Sequence, residues 1–154
     1  MAFNGVRLFR YCLLGESAIN VASAIPILMS PEYFLSFLLT GPNQVTPATC
    51  SLMRIFGSIV LGLTAPLLIS YPNDPSEAQR VAGARHMAYT TLGACEATMG
   101  AVAAMLWVQG DSGFKDTALL GIMSAMGIFL GGRVFFLFAR PSWMEAQTNA
   151  KKAF

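Results

Sequence analysis

Residues 85–100 read RHMAYTTLGACEATMG, and they lie inside an apolar run of about 80–108 that is long enough to cross a bilayer. The run carries the single histidine of the chain, His86, and a glutamate, Glu96. At about 3.6 residues per turn, His86, Tyr89, Gly93, Glu96 and Gly100 fall on one helical stripe. A carboxylate in a membrane span costs a few kcal/mol even on lenient insertion scales, so it turns toward a protein interior and a partner. The stripe therefore predicts other helices that supply walls and countercharges.

The composition agrees. Of 154 residues, 55% are hydrophobic and only 12% charged, about half the charged share of ordinary soluble domains. An integral membrane protein follows, all-α, with room for one domain of four spans and short loops. The net charge of +2 is spread along the chain, and no basic run interleaved with aromatics suggests a nucleic-acid partner. Cys12, Cys50 and Cys95 sit singly in apolar runs, with no CxxC pair and no metal-ligand spacing. No phosphate-binding loop is present, so no cofactor and no metal are expected.

The first span is expected over about 8–29. Arg7 and Arg10 before it, and Ala22-Ser23-Ala24 within it, imitate a signal peptide, but Glu16 and Asn20 interrupt the apolar core such a signal needs. Residues 30–40, SPEYFLSFLLT, are too short to span; they read as an interfacial helix capped by Ser30, with Pro31 in its first turn. A second span over about 47–71 begins at a Thr46 cap. It contains Arg54 and a row of Ser58, Gly62 and Pro66 that would let another helix approach. The third span covers about 78–108, capped by Asp74 or Ser76, and the fourth about 116–139, with Arg133 after two glycines. The tail from Arg140 reads as a frayed polar end with Trp143 at the interface.

Four spans put both termini and the second loop on one side. That side holds Arg7, Arg10, Arg80, Arg140, Lys151 and Lys152, whereas the opposite loops hold only Lys115. The positive-inside rule then places both termini in the cytosol, with the endoplasmic reticulum as the expected membrane. Arg85 is expected to snorkel to the surface.

Counting about 1.5 Å per residue from the cytosolic ends gives depths of about 13 Å for Glu16, about 10 Å for Arg133 and about 9 Å for His86. Glu96 and Arg54 both fall at about 25 Å, with Asn20 just short of them. This predicts two polar groups, Glu16 with Arg133, His86 and Tyr89, and Glu96 with Arg54 and Asn20. A buried carboxylate can serve as general base or acid. His86 can shuttle protons near neutrality, and Arg54 or Arg133 can stabilise a developing alkoxide. Asn20 and Tyr89 can hold a water or donate to a substrate oxygen. These groups suit acid–base chemistry on an uncharged, membrane-soluble molecule, with Glu96 first and Glu16 second as the base.

Residues 54–57 (RIFG), residues 85–89 (RHMAY) and Gly132-Arg133, set in four short spans, resemble small fungal four-helix membrane proteins of the DoxX-like group. That set is similar to the membrane hydrolases of fungal polyketide clusters, such as those of citreoviridin and aurovertin. The resemblance covers about residues 7–140. It implies a membrane-embedded enzyme of secondary metabolism that opens an epoxide of a lipophilic polyketide or terpenoid intermediate. It assigns no catalytic residue. Cyclisation or double-bond isomerisation suits the same groups. The competing expectations are a non-catalytic subunit whose charges only lock helices together, and a transporter, which at this size needs a homo-oligomer. Lipid and a lipophilic small molecule are the expected partners.

Overall fold

The computed structural model describes residues 4–146. Lys151 and Lys152, used in the charge count above, lie outside them. The described residues form an all-α bundle of four long helices. Helix α1 is Gly5–Met29, the short α2 is Pro31–Leu38, α3 is Pro47–Gly62, α4 is Thr64–Ile69, α5 is Ala78–Gln109 and α6 is Asp116–Val134. Helices α3 and α4 are one span broken at Leu63. Pro66 explains the break, since it has no N–H for the carbonyl of Gly62. Gly5–Met29, Pro47–Ile69, Pro75–Gln109 and Asp116–Ala139 are each long and apolar enough to cross a membrane. Their outer faces carry Leu52, Ile55, Ile59, Met87, Val108 and Ile128 in the open, as helices that are apolar all round do when lipid surrounds them.

Local chemistry sets the helix ends. The Asn4 side chain accepts from the Arg7 amide and starts α1. Thr46 and Thr49 exchange side-chain to backbone hydrogen bonds at 3.2 and 2.8 Å and start α3. Asp74 accepts from the Ser76 amide and hydroxyl ahead of α5. Gly110, at φ +71°, closes α5 in the left-handed conformation. Ser30 precedes α2 but, contrary to the sequence expectation, makes no side-chain cap bond; its backbone N–H instead closes α1 on Pro26 O at 2.9 Å.

Helix α5 packs along α6, α1 along α3 and α4, and α4 against α5. The close approach between α1 and α3 falls at the buried Gly57, where a Cβ would come within 2.7 Å of Ile27. The expected Ser58, Gly62 and Pro66 row does not make it: Ser58 and Gly62 are exposed. Helices α5 and α6 meet at Gly93, whose Cβ would stand 3.6 Å from Arg133, and at Gly100, likewise 3.6 Å from Met126.

The two ends of the bundle are stitched differently. At one end Leu39 and Phe114 form an isolated antiparallel bridge, and Lys115 Nζ donates to Ser36 O at 2.7 Å. At the other end the C-terminal segment folds back. After a π-helical turn, Phe135–Ala139, a 3-10 turn, Pro141–Trp143, packs on α1 and places Met144 in the core with Phe9, Leu13, Leu67, Tyr89, Leu92 and Phe136. The frayed tail expected from Arg140 is therefore corrected as far as Ala146. Arg85 holds the segment. It is wholly buried and donates to the carbonyls of Ser70, Pro72, Met144 and Glu145 at 2.8–3.1 Å, and to Asn73 Oδ1 at 3.4 Å. Snorkelling was the wrong expectation because backbone carbonyls, not headgroups, solvate this guanidinium.

Candidate functional site

Helices α1 and α6 do not pack backbone to backbone as the other neighbours do. They face each other across a cleft of about 320 Å³ that is walled by Cys12, Gly15 and Ile19 on α1, and by Ile128, Phe129 and Gly132 on α6, with Tyr89 of α5 also lining it. The Pro141–Trp143 turn packs on α1 beyond one end, and α2 touches α6 beyond the other. The cleft opens on the side of the bundle, between two helices each long and apolar enough to cross a membrane. A Cβ built on Gly15 or Gly132 would meet nothing within 4 Å, so these glycines keep the slot wide.

Arg133 crosses the cleft. Its Nη1 donates to Glu16 Oε2 at 2.9 Å, and its Nη2 pairs with Glu16 Oε1. Its Nε and Nη2 also donate to Glu96 Oε1, at 3.3 and 2.9 Å. The guanidinium carbon lies 4.3 Å from the centroid of the Tyr89 ring, a cation–π contact that strengthens when water is excluded. The Arg133 side chain is 3% exposed, against 12% for Glu16 and 11% for Glu96. Phe9 and Phe136 pack on Tyr89 at 5.0 and 5.8 Å between ring centroids and fix its orientation. Each charged side chain comes from a different long helix, so the trio also ties α1, α5 and α6 together.

Glu96 Oε2 is buried and has no hydrogen-bond partner among the described residues. Two carboxylates share one guanidinium. With both ionised the trio carries one net negative charge, and one proton makes it neutral. Glu16, Tyr89 and Arg133 line the slot, whereas Glu96 stands behind Arg133.

The sequence-expected groups regroup accordingly. Glu16 meets Arg133 as the depth count predicts, and Tyr89 joins them. Glu96 pairs with Arg133 and not with Arg54. Arg54 pairs with Glu32 of α2 at 3.7 Å, with both side chains about half exposed, at 48% and 60%. His86 is exposed, and Asn20 is half-buried one turn beyond Glu16 and outside the cleft lining. The depth error has a physical source. Helix α5 has 32 residues, which at about 1.5 Å each makes roughly 48 Å, well beyond a hydrocarbon core of about 30 Å. Its first two turns stand beside the loop carbonyls that Arg85 binds, so counting from Ala78 places Glu96 too deep. Arg85 takes the stripe position that the sequence reading gives to His86. Among the described residues no three His, Cys, Asp or Glu side chains gather as metal ligands would. Compared with known proteins, the chain matches no family model, no curated protein and no solved structure.

Proposed function

We propose that the chain is a membrane-embedded enzyme that hydrolyses an epoxide on a lipophilic molecule, of the polyketide or terpenoid kind that the sequence resemblance implies, working in the endoplasmic reticulum with both termini cytosolic. One observation carries this reading: a carboxylate, a phenol and a guanidinium line the same apolar slot, which lies between helices long and apolar enough to cross a membrane. A substrate dissolved in the bilayer reaches such a slot without crossing water.

The residues suggest their roles. Glu16 takes a proton from a water molecule, and the water oxygen attacks one epoxide carbon. The carbon–oxygen bond of the ring breaks, and its electron pair goes to the epoxide oxygen. Tyr89 donates toward that oxygen and Arg133 stabilises its developing charge. The proton held by Glu16 returns to the alkoxide, so one water adds and a diol leaves. Glu96 positions Arg133 and balances its charge from behind. This order differs from the sequence ranking, which puts Glu96 first, because Glu16 is the carboxylate that lines the slot.

The test is incubation of microsomes holding the protein with lipophilic epoxides in ¹⁸O-labelled water. A labelled diol from the wild type that Glu16→Gln abolishes supports the proposal. An unlabelled cyclic product points to cyclisation, and no product from any epoxide removes it.

A second reading rests on a different fact. All three nitrogens of Arg133 are engaged by carboxylates, as in a purely structural lock. In that case the trio should be replaceable by apolar residues without loss of function.

A further inference from the structure

At the end of the bundle where α1 begins, a second cleft of about 430 Å³ is lined by Asn4, Val6, Arg7, Arg10, Tyr11 and Tyr71. It is polar, and the epoxide chemistry makes no use of it. Arg7 and Arg10 stand one turn apart on α1. Arg7 Nε donates to the Tyr11 hydroxyl at 3.0 Å, and Arg10 Nε donates to the Tyr71 carbonyl, also at 3.0 Å. The Arg10 guanidinium lies 4.3 Å from the Tyr71 ring centroid and that of Arg7 5.5 Å from the Tyr11 ring. Each arginine is thus anchored by Nε and an aromatic ring. Its paired Nη donors take part in no hydrogen bond or ion pair with the other described residues.

Two guanidiniums with open forks, Arg7 exposed and Arg10 half-buried, form a doubly positive seat. The fork geometry matches the oxygens of a phosphate group. The depth of the seat adds to the argument. It lies at the end of the first span, where Trp143 packs against α1 and Arg140 stacks over Trp143 at 5.7 Å, and this is the level at which headgroups sit. We propose that this cleft binds the phosphate of an anionic phospholipid headgroup. A soluble phosphate would offer the same chemistry.

Full-length protein in neutral detergent, titrated with phosphatidic acid or with phosphatidylcholine and read by native mass spectrometry, tests this. Phosphatidic acid should bind more tightly, and each of Arg7→Gln and Arg10→Gln should weaken it about fivefold. Arg10→Lys keeps the charge but loses the fork, so it should retain part of the preference. Arg80→Gln removes a cation from the first turn of α5, where it pairs with Glu77, and should change nothing. Circular dichroism establishes that each variant is folded. Inorganic phosphate at millimolar level separates the two sources: displacement of the lipid makes free phosphate a ligand of the seat, and persistence makes the headgroup its ligand. Equal binding of both lipids, a preference that survives the double Gln variant, or an equal loss in Arg80→Gln would overturn the assignment.

Discussion

Arg133 grips Glu96 through one oxygen only. Nε and Nη2 both reach Oε1, at 3.3 and 2.9 Å, and Oε2 is left buried without a partner among the described residues. Glu16, by contrast, receives a two-pronged grip on both oxygens. A buried polar atom that makes no hydrogen bond costs about 1–3 kcal/mol. Glu96 bears that cost and Glu16 does not, so the two carboxylates are not equivalent.

The two glutamates should therefore respond differently to neutralisation. Glu16→Gln removes the base that lines the slot and should lower epoxide turnover by about 10²–10⁴-fold. Glu96→Gln keeps an acceptor for Arg133 and makes the trio neutral, so turnover should fall by less, with helix content unchanged. Label incorporation from ¹⁸O-water measures both. A larger loss in Glu96→Gln than in Glu16→Gln would return Glu96 to the role of base.

Arg133→Met leaves two carboxylates facing each other with no cation and should destabilise the bundle by about 3–5 kcal/mol. Adding Glu16→Gln and Glu96→Gln to it should recover most of that loss, as followed by unfolding in mixed micelles. The triple variant also separates the two functional readings. A structural lock predicts a folded and fully functional protein, whereas an active site predicts a folded and inactive one.

Among the arginines, position in the fold decides the cost of removal. Arg85→Ala strips buried hydrogen bonds from four backbone carbonyls and should cost about 3 kcal/mol or more. It should also release the C-terminal segment to proteolysis. Arg54→Ala breaks one half-exposed pair and should cost no more than about 1 kcal/mol. Thermal unfolding of the two variants side by side checks the ordering, and equal losses would contradict it.

The contrast between Arg85 and Arg54 also shows what the sequence could and could not convey. Spans, turns and the capping by Thr46 and Asp74 are local, and residue spacing reveals them. The stripe of Tyr89, Gly93 and Glu96 was legible because a carboxylate in an apolar helix has few places to face. The countercharge was not legible. Arg133 and Arg54 are alike in sequence, and choosing between them needs the depth of α5, whose 32 residues make a helix longer than a hydrocarbon core of about 30 Å. The partners of Arg85 are carbonyls of loops distant in sequence, which no pattern of residue types announces. The slot between α1 and α6 arises from helices that fail to pack closely, and spacing is silent on that.

The slot yields the sharpest test of access from lipid. Gly15 and Gly132 stand on its opposite walls, and a Cβ at either meets open space. Gly15→Leu or Gly132→Leu should fold with little change in stability, because the added atoms enter a void. Each also improves helix propensity, by somewhat under about 1 kcal/mol. Yet either should block the substrate, cutting kcat/KM by about 10–200-fold for one misfitted hydrophobic contact, with the loss mainly in KM. Gly121→Leu, on α6 and equally free of contacts but outside the slot lining, should leave kcat/KM unchanged. If the slot variants fold and turn over as the wild type does, the substrate does not pass between α1 and α6, and the site must be reached from an end of the bundle.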